Sequence, residues 1–458
     1  MYREDTIAAI ATPPGEAGVA IVRISGVDAE AIAARTFLRP AGKNGRLKSH
    51  TLYHGKIRDP QSDGILDEAL LTIMRRPRSY TGEDVVEIHC HGGAFVVRQI
   101  LGLVLRQGAR QAEPGEFTKR AFLNGRLDLT QAEAVLDLIR ARTDKSAGMA
   151  IDQVSGALSH WVGELREELL DILVQVEAAI DFPEEEIELL RRRELIAKIR
   201  ALAQTIQNIS ATYDWGKLYR DGARVCICGR PNVGKSSLLN ALLGEDRVIV
   251  TPIAGTTRDV IEESISLDGL PAVLWDTAGI RESDDQIERI GVELSRQHVS
   301  RADAVIVVLD GSEPLATDDE LLLAGIPSKK ILVAVNKSDL PQRLQAGDIA
   351  RFAGSSSMRS ISAMTGEGIP QLKKTLRDLL IDSEMDAPVV ITNLRHRSAL
   401  QRSKSSLSRA AVSLGESYAP EFVAMDLNEA RVALEEITGI IQTDDILERI
   451  FAQFCIGK

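Results

Sequence analysis

Gly229-Arg230-Pro231-Asn232-Val233-Gly234-Lys235-Ser236 fits the pattern Gly, four residues, Gly-Lys-Ser/Thr, and its flanks decide the fold of this chain. The apolar run Ala223-Arg224-Val225-Cys226-Ile227-Cys228 reads as the strand before it, and Ser237-Leu238-Leu239-Asn240-Ala241-Leu242-Leu243 as the helix after it. The glycines let the backbone curl until successive N–H groups point at phosphate oxygens, and the helix N-terminus adds its positive dipole end. Lys235 is placed to pair with the β- and γ-phosphates, and Ser236 to offer a hydroxyl to Mg²⁺. A strand, this loop and a helix in that order predict a nucleoside triphosphate site on a mostly parallel sheet.

The base is read further along. Ile331-Leu332-Val333-Ala334-Val335 is a buried-strand pattern that ends in Asn336-Lys337-Ser338-Asp339. A carboxylate at Asp339 accepts two parallel hydrogen bonds from guanine N1–H and its exocyclic amine, and adenine offers neither at that edge. The Lys337 stem is expected over the base plane, and Ser362-Ala363-Met364 supplies candidate backbone donors to guanine O6. The nucleotide expected is GTP.

Two elements between these complete a hydrolytic site. Val273-Leu274-Trp275-Asp276-Thr277-Ala278-Gly279 is a strand running into Asp-x-x-Gly, with Asp276 suited to the outer shell of Mg²⁺ and the Gly279 N–H to the γ-phosphate. Upstream, Thr251-Pro252-Ile253-Ala254-Gly255-Thr256-Thr257-Arg258-Asp259 reads as a switch, in which Thr257 closes over Mg²⁺. Where GTPases of the Ras type carry a water-orienting glutamine, this chain has Ile280, which cannot hydrogen-bond. Glu282, Asp284, Asp285, Gln286 and Glu288 follow as candidates, and the residues alone do not choose among them.

At 458 residues the chain is long enough for about three domains. Cys90, Cys226, Cys228 and Cys455 form no disulfide framework, and Cys226 and Cys228 share one face of their strand as reduced core residues. No signal peptide or long apolar run is read, so a cytoplasmic location without membrane insertion is expected. A net charge of −11 argues against broad non-specific nucleic-acid binding and leaves room for a local basic site.

The flanks differ in texture. Residues 1–118 alternate short strands and turns, with Thr6–Ile10, Val19–Ile24 and Val85–Gly93 read as strands. A period of two puts Glu87, His89 and His91 on one face of the third and Val86, Ile88 and Cys90 on the other, more a polar cleft or exposed face than a metal site. Residues 119–218 turn helical, with Leu165, Leu169, Ile172, Leu173, Val176 and Ile180 on one helix face before a break at Asp181-Phe182-Pro183. Helical texture returns from 383 to 458. There Arg395, Arg402 and Arg409 recur every seven residues, with Arg397 and Lys404 repeating the step, as a solvated face or an RNA phosphate contact. The layout is a GTPase domain, residues 219–382, inserted within an all-α domain, behind an N-terminal α+β domain.

The chain resembles the MnmE (TrmE) family of tRNA-modification GTPases over essentially its whole length. The resemblance is carried by Ala11-Thr12-Pro13-Pro14-Gly15, Val22-Arg23-Ile24-Ser25-Gly26, Tyr80-Thr81-Gly82-Glu83-Asp84, Pro114-Gly115-Glu116-Phe117-Thr118-Lys119-Arg120-Ala121-Phe122-Leu123-Asn124-Gly125, Ala178-Ala179-Ile180-Asp181-Phe182-Pro183, the GTPase motifs and Phe454-Cys455-Ile456-Gly457-Lys458. It implies an N-terminal domain that dimerises and binds 5,10-methylenetetrahydrofolate or a formyl derivative, with Arg23, Glu87, Arg126 and Lys458 matching the folate contacts. It implies GTPase domains that meet across a homodimer with K⁺ held by Asn232, Thr251, Ile253 and Thr256, where an arginine finger would otherwise offset growing charge. The water-orienting residue matches Glu288, Arg258 supports the closed switch, and Cys455 beside Lys458 is a candidate functional thiol. The expected activity is modification of wobble uridine at C5 in certain tRNAs, with a flavin-dependent partner, MnmG (GidA). The competing reading is a ribosome-assembly GTPase acting as an RNA-binding switch. That reading calls for a compact basic domain after the GTPase, where this chain is helical.

Overall fold

The computed structural model describes residues 5–39, 46–181, 189–244, 263–276, 299–326, 331–350, 358–381, 387–416, 418–441 and 443–458. They divide into two compact units, one of residues up to 136 with 435–458 and one of 137–434.

The first unit is built on a seven-stranded sheet of β1 (Ile7–Ile10), β2 (Ala17–Ser25), β3 (Phe37–Leu38), β4 (Leu52–Arg58), β5 (Ile65–Met74), β6 (Val85–Gly92) and β7 (Arg110–Gln111), in the order β3-β4-β5-β6-β2-β1-β7. The expected alternation in β6 holds: Val86, Ile88 and Cys90 are buried, and Glu87, His89 and His91 lie on the other face. The helix Ala94–Arg106 turns Val97, Ile100, Leu103 and Val104, spaced three and four apart, onto the buried side of that sheet. Each such side chain taken fully from water contributes roughly 1.5–3 kcal/mol. Burial also pushes the Cys90 thiol up to about 11, as expected of an inert core cysteine.

In the second unit β8 (Ala223–Cys228), β9 (Glu263–Leu267), β10 (Leu270–Asp276), β11 (Ala304–Asp310), β12 (Ile331–Asn336) and β13 (Met358–Ser360) form a sheet in the order β13-β12-β11-β8-β10-β9. All pairs are parallel except the β9–β10 hairpin. Helices cover both faces, so β11 is buried along its whole length, as its unbroken apolar sequence requires. Cys226 and Cys228 lie together in the cluster with Val305, Val307 and Leu323. Val225 and Ile227 face Leu238, Leu242, Leu372 and Leu376 on the other side.

The helical part of this unit contains Ala157–Asp181, whose buried Leu165, Leu169, Ile172, Leu173 and Val176 follow the expected face. Leu189–Ala211 and Leu394–Gly415, one before and one after the six-stranded sheet in sequence, pack along their length. The helix Asp144–Val154 starts from a capping box of Thr143 and Ser146, and the Thr143 hydroxyl also donates to the Gly269 carbonyl at 2.7 Å in the β9–β10 turn.

Candidate functional site

Parallel β8, β10, β11 and β12 all end at one edge of the sheet, and chemistry gathers there. The loop from Gly229 to Gly234 leaves β8 and enters the helix Lys235–Leu243. Gly234 has φ +98°, and a Cβ there would lie 2.3 Å from Asn336 Nδ2, so both the backbone and the space require glycine. Asn336 is buried and joins three parts of the site. Its amide donates to the Val233 carbonyl at 2.8 Å, and its Oδ1 accepts from the Ala363 N–H at 2.9 Å. The Lys235 ammonium crosses the loop mouth and donates to the Gly229 and Arg230 carbonyls at 2.9 and 2.8 Å. Asn232, at φ +65°, Ser236 and Ser237 stand exposed around the loop.

The residues expected to read the base follow β12. Asp339 is exposed, and its Oδ1 accepts from the buried Ser362 hydroxyl at 2.6 Å, which fixes the carboxylate. Ser338 is tied through its N–H to the Ile361 carbonyl at 3.0 Å. Lys337 takes φ +65° and pairs with Asp310 at the end of β11. Burial raises the Asp310 carboxyl, but Lys337 and Ser312 outweigh it and hold the group below the usual carboxylate range. Of the three candidate O6 donors, the Ser362 N–H bonds the Glu367 carbonyl and the Ala363 N–H bonds Asn336. Met364 is 89% exposed.

Asp276 closes β10. The switch residues Thr251, Pro252, Ile253, Ala254, Gly255, Thr256, Thr257 and Arg258, with Thr277, Ala278, Gly279 and Glu288, lie outside the described residues.

The first unit holds a second polar cluster. Arg23 on β2 and Glu87 on β6 are cross-strand partners, and Arg23 Nε donates to Glu87 Oε1 at 2.8 Å. The guanidinium also reaches the Gly457 carbonyl at 3.3 Å and lies 5.5 and 5.6 Å from the Tyr80 and Phe117 ring centroids. The segment that brings Lys458 here is stitched to 114–117. Pro114 bridges Ile456, the Gly115 N–H donates to the Cys455 carbonyl at 3.4 Å, and the Phe117 N–H donates to the Lys458 carbonyl at 3.2 Å. Gly457 sits at φ +100°, 2.3 Å from the Ile10 carbonyl at its Cβ position, so no side chain fits. Burial first, then the Arg23 charge, lower the Lys458 ammonium below the ordinary lysine value, with Glu87 opposing them.

The expected folate residues therefore come together in part. Arg23 and Glu87 are hydrogen-bonded, and Lys458 lies near enough to feel both their charges, whereas Arg126 is exposed and its side chain makes no hydrogen bond or ion pair among the described residues. The Cys455 thiol is exposed. Tyr80 and Phe117 were not anticipated as part of the cluster; nothing in their own sequence surroundings marks a ring as a platform for a cation on another strand. His89 Nε2 lies 3.5 Å from Glu87 Oε2, and His91 Nδ1 lies 2.7 Å from Asp67 Oδ1.

Comparison with known proteins bears on both sites. The family profile described as "MnmE helical domain" matches residues 129–455, and "GTP-binding protein TrmE N-terminus" matches residues 6–126. The tRNA modification GTPase MnmE of Lactiplantibacillus plantarum is 46% identical over 99% of this chain and 98% of its own length. That of Syntrophus aciditrophicus is 48% identical over 99% of this chain and all of its own length. Among solved structures, the G domain of the T. maritima FeoB iron transporter is 26% identical, covering 35% of this chain and 99% of its own length at a TM-score of 0.27.

Proposed function

The chain belongs to the MnmE (TrmE) family of tRNA modification GTPases, and from that premise we propose its full activity. With a flavin- and NADH-using partner, MnmG (GidA), it adds an aminomethyl-type group (carboxymethylaminomethyl) to C5 of the wobble uridine in certain tRNAs. The one-carbon unit comes from 5,10-methylenetetrahydrofolate or a formyl derivative.

The observation that supports this reading best is the convergence of Arg23, Glu87 and Lys458 from three distant parts of the chain. A carboxylate and two cations suit a folate. Glu87 can accept from the N–H groups of a pterin, and Arg23 and Lys458 beside it can donate to the ring carbonyl and ring nitrogens at that same end of the molecule. When bound, the tetrahydrofolate would supply a one-carbon unit, at the formaldehyde level from the methylene form or at the formate level from the formyl form. The chain's residues bind it, and the aromatic pair fixes the direction of Arg23.

In the second unit, the backbone N–H groups of 229–236 hold the phosphates, Lys235 offsets their charge and Asp339 selects guanine. The left-handed loop, with no room for a side chain at Gly234, fits a phosphate chain approaching the backbone closely. Ser236 and Thr257 would hold Mg²⁺, and Asn232, Thr251, Ile253 and Thr256 would hold K⁺ where the two subunits' GTPase domains meet in a homodimer. Glu288 orients the attacking water, and Arg258 supports the closed switch. Hydrolysis drives rearrangement of the complex rather than the base chemistry itself.

The test is nucleoside mass spectrometry on tRNA from cells with and without the chain. Loss of 5-aminomethyl-type wobble uridines is expected. An unchanged profile with altered ribosome precursors would transfer the case to an assembly GTPase.

A further inference from the structure

The two helices that bracket the nucleotide-binding sheet are basic in a chain of net charge −11. Leu189–Ala211 carries Arg191, Arg192, Arg193, Lys198 and Arg200 against Glu194, and Leu394–Gly415 carries Arg395, Arg397, Arg402, Lys404 and Arg409 with no carboxylate. The helices run antiparallel. Lys404 Nζ donates to Gln207 Oε1 at 2.6 Å, and near the other end a Cβ at Gly415 would meet Ile196 at 3.9 Å.

Packing splits the cations of Leu394–Gly415 into two rows. Arg409 turns toward the helix Pro420–Thr438, where Asp426, at 2.8 Å, and Glu429 neutralise it. Arg409 is therefore a poor phosphate contact. The other row follows the seam between the antiparallel helices. Lys404 and Arg397 lie on it, one heptad apart, and the Gln207 side chain to which Lys404 donates brings no opposite charge.

On the facing helix, Arg200 and Arg193 precede Gln207 by one and two heptads, which places them on the same face at a rise of about 10 Å per step. Both are exposed, and neither makes an ion pair among the described residues. At the far end, Arg397 stacks 4.8 Å from the Tyr213 ring centroid, Lys217 Nζ lies 6.0 Å from the same ring, and the exposed Asp214 sits 3.4 Å from Arg397. Like charges in a row repel one another, a cost to the fold. The row's spacing and sign match a polyanion laid along the seam, and Tyr213 adds an aromatic surface of the kind on which bases stack.

We infer that the seam formed by Arg193, Arg200, Lys404, Arg397 and Lys217 binds the phosphodiester backbone of the tRNA substrate. The inference rests on the tRNA-modification reading and adds to it where the RNA lies.

The test measures binding of unmodified tRNA to the full chain by fluorescence anisotropy across a salt series. Native affinity should fall steeply as salt rises. The double variant Arg193→Gln with Arg200→Gln should bind roughly 10-fold more weakly at ~100 mM salt, with a log–log salt slope shallower by about one to two. Lys198→Gln removes the same kind of charge from the same helix but lies two residues from Arg200, on another face, and should keep native affinity and slope. Circular dichroism establishes that each variant is folded.

If the double variant binds as the native chain does, or if Lys198→Gln loses as much per charge, the seam is not the RNA surface. A polyglutamate peptide that binds the seam more tightly than tRNA does would assign it to an acidic protein and overturn the RNA occupant. A native chain that binds no tRNA at any salt would overturn the tRNA-substrate reading together with the seam, a result distinct from the first.

Discussion

The nucleotide site of the second unit gathers polar groups at the ends of parallel strands, and the Arg23 cluster of the first gathers them on the face of two central strands, β2 and β6. The nucleotide site is made of backbone. Its proposed donors are the backbone N–H groups of the loop at 229–234 and of the helix start after it, and its side chains either brace that loop, as Asn336 does, or stand close by, as Lys235 does. The Arg23 cluster is made of side chains, gathered from residues 23, 80, 87 and 117, and held by a pairing between 114–117 and 455–458. A backbone site is rigid because its strands are rigid. A side-chain site depends on each partner holding the next.

That contrast is sharpest under single substitutions. Lys235→Ala should give the largest effect, lowering GTP turnover about 10³-fold, because it removes the fixed charge that Lys235 brings to the phosphates. Steady-state phosphate release, measured in K⁺ and again in Na⁺ at equal ionic strength, checks this. The native chain should be faster in K⁺, and the variant slow in both. Equal native rates in the two salts would remove the proposed K⁺ site, and a variant within tenfold of native would remove Lys235 from the site.

Arg23→Ala should have a smaller effect, confined to the first unit. Tetrahydrofolate affinity, read by calorimetry, is expected to fall roughly 10- to 100-fold through loss of a charge-assisted contact and of the partner that orients Glu87. GTP affinity should stay as it was. Native tetrahydrofolate binding by this variant would make the cluster a structural ion pair and leave the one-carbon role without support.

The sequence made the first of these sites legible because its signals are contiguous. Gly229–Ser236 and Asn336–Asp339 each carry their meaning within eight residues, and the strands before them, Ala223–Cys228 and Ile331–Asn336, are apolar runs of the expected kind. Even there the role of Asn336 as a brace was invisible, since it depends on Gly234 lying against it 102 residues away in sequence. The Arg23 cluster offered only one local hint, the outward face of Glu87 on an alternating strand. Its other members were matched by resemblance; Tyr80 and Phe117 lie in stretches that carry the resemblance but have no cluster role in it, because the contact that defines them is a ring under a guanidinium on a different element. The basic stripe shows the reverse error of local reading. Its spacing is evident in sequence, yet whether each arginine is free or neutralised is decided by the helix that packs beside it.

The smallest predicted effect separates the units by pH. In the first unit, Asp5 and Glu116 are raised by burial, but hydrogen bonds from Arg110 and Arg120 outweigh this and leave both carboxyls below their ordinary values. Glu30 is lowered by Arg75 in the same way. Among the described residues of the second unit, Asp310 alone is a carboxyl resolved as lowered. A carboxyl whose folded value lies below its unfolded value contributes its full stability above the unfolded value, near 4, and loses it as pH falls through the folded one. The unfolded chain then takes up protons that the ion pairs of the folded chain still resist, and acid favours opening. The first unit, with more such groups, should lose roughly 1–2 kcal/mol of local stability between about pH 5 and pH 3, ahead of the second. Hydrogen exchange, corrected for intrinsic rates, should show protection of the β1 and β2 amides falling at a higher pH than that of β8 and β11. Glu116→Gln should shrink the difference, because it removes one titrating group from the network. If β8 and β11 open first, the arginine network is not what holds the first unit together, and the Arg23 cluster beside it owes its geometry to the hydrophobic face of the sheet instead.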